Sequence, residues 1–125
     1  MVADRWKIQA VLSLLSALPF ERFVVAGLNK PEGKTYRFID KLGYRVYDVY
    51  REVVSLGIEN YSMGPLRDER GRSHDLWVFG KYIELYEAYI KFAVFISFDT
   101  IAAVCVSFHE AEHPLAYPYG RGGKL

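Results

Sequence analysis

A chain of 125 residues with 51% hydrophobic and 25% charged side chains has the length of one domain and an ordinary globular composition, which excludes a disordered or fibrous protein. Sixteen basic and fifteen acidic residues leave a net charge of +1, so no global basic field marks a nucleic-acid binder and any such role must come from local geometry. The single cysteine, Cys105, lies in an apolar run; it permits no intrachain disulfide, fits a reducing compartment and reads as a small core residue sooner than a nucleophile.

At the N-terminus, Arg5 and Lys7 precede an apolar stretch from Ile8 to Leu18 with the outline of a secretion signal. Arg5, Gln9, Ser13 and Ser16 nevertheless fall on one helical face and Ile8, Val11, Leu12, Leu15 and Leu18 on the other, the pattern of an amphipathic helix. The stretch is too short to span a bilayer, so a cytoplasmic protein without a membrane partner is expected. This helix covers about residues 4–17 and is stopped by Pro19. Residues 20–28 contain the short run Phe23-Val24-Val25, either a strand or a packed continuation of the helix, and 29–33 form a loop by their Pro and Gly content. A second helix over 35–42 ends at Gly43, in the position of a left-handed C-cap. A third over about 45–56 carries Val46, Val49, Val53 and Leu56 on one stripe, with Arg45, Asp48, Arg51 and Glu52 off it.

Residues 60–65 break the helical pattern. In the charged loop 66–75, Arg67, Arg70 and Arg72 are offset by Asp68, Glu69 and Asp75; this is ordinarily a solvated loop, with phosphate contact by its arginines as the alternative. From residue 76 the pattern becomes that of strands, expected over 76–83, 88–96 and 102–108, with a turn near Phe98-Asp99-Thr100; residues 81–89 also read as helix. Residues 110–125 form an irregular tail. The whole is expected to be one α+β domain, 1–57 mainly helical and 76–109 an antiparallel sheet of three to four strands with the helices packed on one face.

Strand alternation then places the chemistry. Ile90, Phe92, Val94 and Ile96 on one strand, and Val104, Val106 and Phe108 on the next, are apolar and expected to share the core face. Burying both sets requires odd residues to pair with odd, and a turn centred on Asp99 sets Tyr89 opposite His109 and Lys91 opposite Ser107. A phenol, an ammonium and an imidazole then converge. Cleavage of RNA by its own 2′-hydroxyl needs a base, a cation for the phosphate and an acid for the leaving 5′-oxygen. Histidine serves either proton-transfer role and lysine stabilises the charge, while tyrosine donates a proton or stacks on a base. The bland alternative is solvent-facing strand residues.

His109-Glu110-x-x-His113 also matches the zinc-protease pattern H-E-x-x-H, which needs both histidines on one helix face. Here the pattern follows a β-branched strand, Pro114 opposes helical geometry at His113, and no third ligand follows, so neither a metal nor another cofactor is expected.

The order Thr35…Leu42-Gly43-Tyr44…Asp48-Val49…Val53-Val54-x-Leu56…Asn60-Tyr61, then Leu76-Trp77…Tyr89-Ile90-Lys91…Val106-Ser107-Phe108, resembles the MqsR-type toxins of bacterial type II toxin–antitoxin systems over roughly residues 35–109. The resemblance implies a RelE-like fold, a metal-independent endoribonuclease acting on mRNA, and a cognate antitoxin as partner. The family's active-site tyrosine falls on Tyr89, and the lysine after its Ser-Phe falls on His109. Its glutamine after the strand tryptophan falls on Val78, and its lysine after the helix-ending tyrosine falls on Ser62. With Tyr89, His109 and Lys91 as catalytic candidates, Lys81, His74, Arg67, Glu112 and His113 are the candidates for substrate contact.

Overall fold

The computed structural model describes residues 2–69, 71 and 74–120; Arg70, Arg72 and the last five residues of the tail lie outside the described residues. Helices α1 (Arg5–Ser16), α2 (Lys34–Leu42) and α3 (Val46–Val54) form along the expected apolar stripes, burying Ile8, Val11 and Leu15 from the first and Val49 and Val53 from the third. Gly43 ends α2 at φ +71°, a left-handed cap that a side chain would strain. No helix among the described residues is long and apolar enough to cross a membrane.

The sheet corrects the expectation of three to four antiparallel strands. Five strands, β1 (Phe23–Val25), β2 (Tyr61–Leu66), β3 (Leu76–Ile83), β4 (Tyr86–Ser97) and β5 (Thr100–Glu110), lie in the order β1-β5-β4-β3-β2. Because β1 runs parallel to β5, the sheet is mixed. The ambiguous Phe23-Val24-Val25 run is thus an edge strand, too short to show a period of its own. At the other edge, Gly64-Pro65 conceals β2: proline cannot donate to a ladder but is tolerated at an edge, and two register shifts interrupt the pairing of β2 with β3. Residues 81–89 are a tight hairpin, with Glu84 at positive φ, and not a helix.

One face of the sheet carries the helices. Phe79, Ile90, Phe92 and Phe108 are fully buried there, in one core cluster with Ile8, Leu15, Val49 and Val53. Strands β4 and β5 meet at a two-residue turn, Phe98-Asp99, both at positive φ as this hairpin type demands. Such a turn pairs even residues with odd, as in Phe92 with Cys105 and Ala93 with Val104. A β-bulge then adds Val106, so beyond it Lys91 pairs with Ser107 and Tyr89 with His109. The bulge overturns part of the expected core: Ala103 and Cys105 join Phe108 on the helix side, while Val104 and Val106 face outward. Burial pushes the Cys105 thiol up to about 12, so it stays protonated near neutral pH.

Strand β1 covers β5 only at Ala103–Cys105. Beyond it α2 takes over, and the Phe108 N–H donates to the buried Thr35 hydroxyl at 3.2 Å. That hydrogen bond fixes α2 beside the last turn of chain before His109. Phe108→Ala is expected to cost about 3–5 kcal/mol in urea denaturation. Deleting Val106 should cost less, because Ser107, Phe108 and His109 would keep their partners Lys91, Ile90 and Tyr89 in a regular ladder.

Candidate functional site

Alternation along β4 and the bulge in β5 bring Tyr89, Lys91 and His109 onto the face opposite the helices. The Tyr89 and His109 rings stack with centroids 5.1 Å apart and planes 12° from parallel. His109 Nδ1 lies 3.0 Å from the Glu110 carbonyl oxygen. A carbonyl only accepts, so Nδ1 is the protonated nitrogen of the neutral ring and Nε2 keeps its lone pair. Burial, and secondarily the negative charge of Glu112, hold the Tyr89 phenol above its ordinary pKa. It is therefore a proton donor and a stacking surface at neutral pH, not a base. Lys91 makes no ion pair among the described residues, which leaves its ammonium available to an anion.

Tyr89, Lys91, Ser107 and His109 line a cleft of about 370 Å³, closed on one side by Met63 and on the other by the tail at His113, Pro114 and Leu115. The tail is irregular, as expected, but firmly anchored. Leu115 N–H donates to the Glu87 carboxylate at 3.3 Å, and the Tyr117 hydroxyl donates to it at 2.6 Å. Burial first, and then this carboxylate, push the Tyr117 phenol well above the ordinary tyrosine range. Glycine at position 80 makes the seat, since a Cβ there would lie 2.4 Å from Leu115 Cδ1 and 2.6 Å from the Tyr117 hydroxyl.

A second cleft, of about 310 Å³, opens on the other side of His109 against α2, lined by Lys34, Arg37, Phe38 and Lys41 with Glu110 and Glu112. The three cations recur at i, i+3 and i+7, on the α2 face left free when Thr35, Phe38 and Ile39 are buried. That stripe was visible in the sequence as Lys34-x-x-Arg37-x-x-x-Lys41 and was overlooked, because nothing in the sequence sets α2 beside His109. Lys34 pairs with Glu112 and Lys41 with Glu110, the latter at 3.4 Å. Lys34 also holds the Glu112 carboxyl below the usual carboxylate range. The side chains in both pairs are about half exposed, so solvent and salt screen them and a competing anion can displace the carboxylates.

The other predicted residues separate. Arg67 lines a larger cleft, about 550 Å³, that continues from Lys91 and Ser107 past Val106 to Leu76. His74 lies farther along, stacked on Phe95. Glu112 and His113 form the rim beside His109. Lys81 is not part of this group: it faces the helices, where its ammonium pairs with Glu52 at 2.8 Å. The H-E-x-x-H pattern spans the end of β5 and a bend, so no helix turn aligns His109 with His113, and among the described residues no three His, Cys, Asp or Glu side chains cluster as a metal set. Val78, on the outer face opposite Lys91, is fully buried, and the buried Ser62 hydroxyl has no hydrogen-bond partner among the described residues.

Compared with known proteins, the chain matches no family model, no curated protein and no solved structure. The site's chemistry rests on its own geometry. In a tyrosine titration followed by NMR, Tyr89 is expected to ionise at higher pH than a free tyrosine. Glu112→Gln should move that transition downward, since it removes one of the two causes of the shift.

Proposed function

We propose that this protein is a metal-independent endoribonuclease that cuts single-stranded RNA, with mRNA as the substrate class, and that it is the toxin of a type II toxin–antitoxin pair restrained by a cognate antitoxin. The observation that carries the reading is the convergence of Tyr89, Lys91 and His109 on one open face, with His109 Nε2 free to accept a proton. In this reading Nε2 takes the proton of the ribose 2′-hydroxyl as its oxygen attacks phosphorus. The bond from phosphorus to the 5′-oxygen breaks, leaving a 2′,3′-cyclic phosphate, and the 5′-oxygen takes a proton from the Tyr89 phenol, which regains one from solvent. Lys91 offsets the charge that grows on the phosphate oxygens.

The two flanks suit a polyanion. Lys34, Arg37 and Lys41 on one side of His109, and Arg67 beyond Lys91, supply cations along the path of a backbone, while the stacked Tyr89 ring offers a face to a base. A net charge of +1 does not oppose this, because the cations beside the site are concentrated on α2.

A second reading, a catalytically inert domain of the same fold that binds RNA or the antitoxin, is favoured by one observation. Val78 and Ser62, at the positions where the MqsR-type toxins carry glutamine and lysine, are both buried and bring neither an amide nor a cation to the site. Incubation of purified protein with an RNA oligonucleotide in EDTA separates the two. Cleavage is expected, with 2′,3′-cyclic phosphate ends. His109→Ala should slow it about 10²–10⁴-fold, and Lys91→Met about 10²–10³-fold. A substrate deoxygenated at the 2′ position should resist. RNA left intact by the wild-type protein would discard the enzyme and keep only the binding reading.

A further inference from the structure

The outer face does not end at the catalytic candidates. The clefts around Tyr89, Lys91 and Ser107, around Arg67 and Val106, and around Phe95 share lining residues from one to the next, so they form one trough. Tyr89 and Phe95 stand six positions apart on β4, about 20 Å along the strand. The trough is therefore long enough for several nucleotides of an unstacked strand. Lys91 and Arg67 lie along the middle of it, and an aromatic pair stands at each end.

The far end is built differently from the near one. Leu76, Ala93, Phe95, Val104 and Val106 wall a pocket of about 290 Å³, and its polar lining is His74 and Asp68. Ala93 stands between Lys91 and Phe95 on the same face of β4. The His74 ring lies flat on Phe95, with centroids 4.1 Å apart and planes 3° from parallel, while the residue itself is exposed on the loop that leads into β3. Nothing in the fold requires an exposed histidine to stack there: its ring has no hydrogen-bond partner or ion pair among the described residues. A flat ring stacked on Phe95, in a largely apolar pocket at the end of a trough where Lys91 and Arg67 stand beside Asp68 and Glu69, occupies the place of a nucleobase.

Resting on the RNA-cleavage reading, we propose that the Phe95 pocket is a nucleobase subsite, in which a base of single-stranded RNA, several nucleotides from the scissile phosphate, stacks on Phe95 in place of His74. The backbone between this base and the one at Tyr89 then passes Arg67 and Lys91. His74, released from Phe95, is free to cover the second face of the base. The subsite makes the enzyme selective for unpaired RNA, since a base held in a duplex presents no free face to Phe95.

The test uses 2′-O-methyl oligonucleotides, which lack the attacking hydroxyl and report binding alone. The wild-type protein is expected to bind an octanucleotide more tightly than a trinucleotide, and a hairpin that pairs the same bases more weakly. Phe95→Leu should lower affinity for the octanucleotide roughly ten- to a hundredfold and so abolish the gain with length. Phe95→Tyr, which keeps the ring, should restore it. Leu85→Ala, at the exposed tip of the β3–β4 hairpin, serves as the control for a surface change remote from the trough. Octanucleotide binding indifferent to Phe95→Leu overturns the subsite and leaves the cleavage reading standing. If no protein binds any oligonucleotide, the subsite and the RNA reading fall together.

Discussion

One extra residue in β5 sets the relation between the core and the site. The Phe98-Asp99 turn by itself would pair Tyr89 with Phe108, and alternation would send His109 towards the helices. Val106 restores the odd-to-odd pairing, so that the fully buried Phe108 and the outward His109 are both satisfied by the same irregularity. Burying a phenyl ring and keeping an imidazole in reach of solvent pull in the same direction. The bulge is consequently held in place by the core as firmly as the site depends on it.

A second consequence follows from the edge of the sheet. Because β1 pairs with only three residues of β5, the end of β5 would expose unpaired backbone groups. Thr35 accepts the Phe108 N–H, and α2 comes to rest along that edge with its basic stripe facing His109. The tail closes the opposite side by anchoring to Glu87 across Gly80. Covering a strand edge and seating a tail are structural requirements, yet together they build the two walls of the cleft. A chain with nearly balanced charge thereby acquires a local concentration of cations, tempered by Glu110 and Glu112, whose exposed ion pairs an anionic ligand can displace.

Much of the fold was legible because its signals are local. Periodicity located all three helices, Gly43 marked the end of the second, and period-two alternation located β3, β4 and β5. The elements that escaped were those whose signal is weakest: β1, with three residues, has no measurable period, and β2 is interrupted by Gly64-Pro65 and held by its neighbour. The pairing of Tyr89 with His109 was correctly expected from a turn placed half a residue away, and the bulge supplied the difference. Val104 and Val106 show the limit of that reasoning, since alternation cannot see where a strand gains a residue.

Sequence alone determined which side chains could carry chemistry, and that Tyr89 and Lys91, two residues apart on one strand, face the same way, because side-chain alternation is a property of the local backbone. It also weakened the H-E-x-x-H pattern as a zinc site, through the β-branched strand before it and Pro114 after it. Only the tertiary structure decided what surrounds those side chains. Lys81 turned to Glu52 on the helix side, His74 came to rest on Phe95, and Lys34, Arg37 and Lys41 arrived beside His109 from a helix more than sixty residues away in sequence. The physical reason is that these placements follow from strand order, edge coverage and packing between distant segments, which no short stretch of the chain encodes by itself.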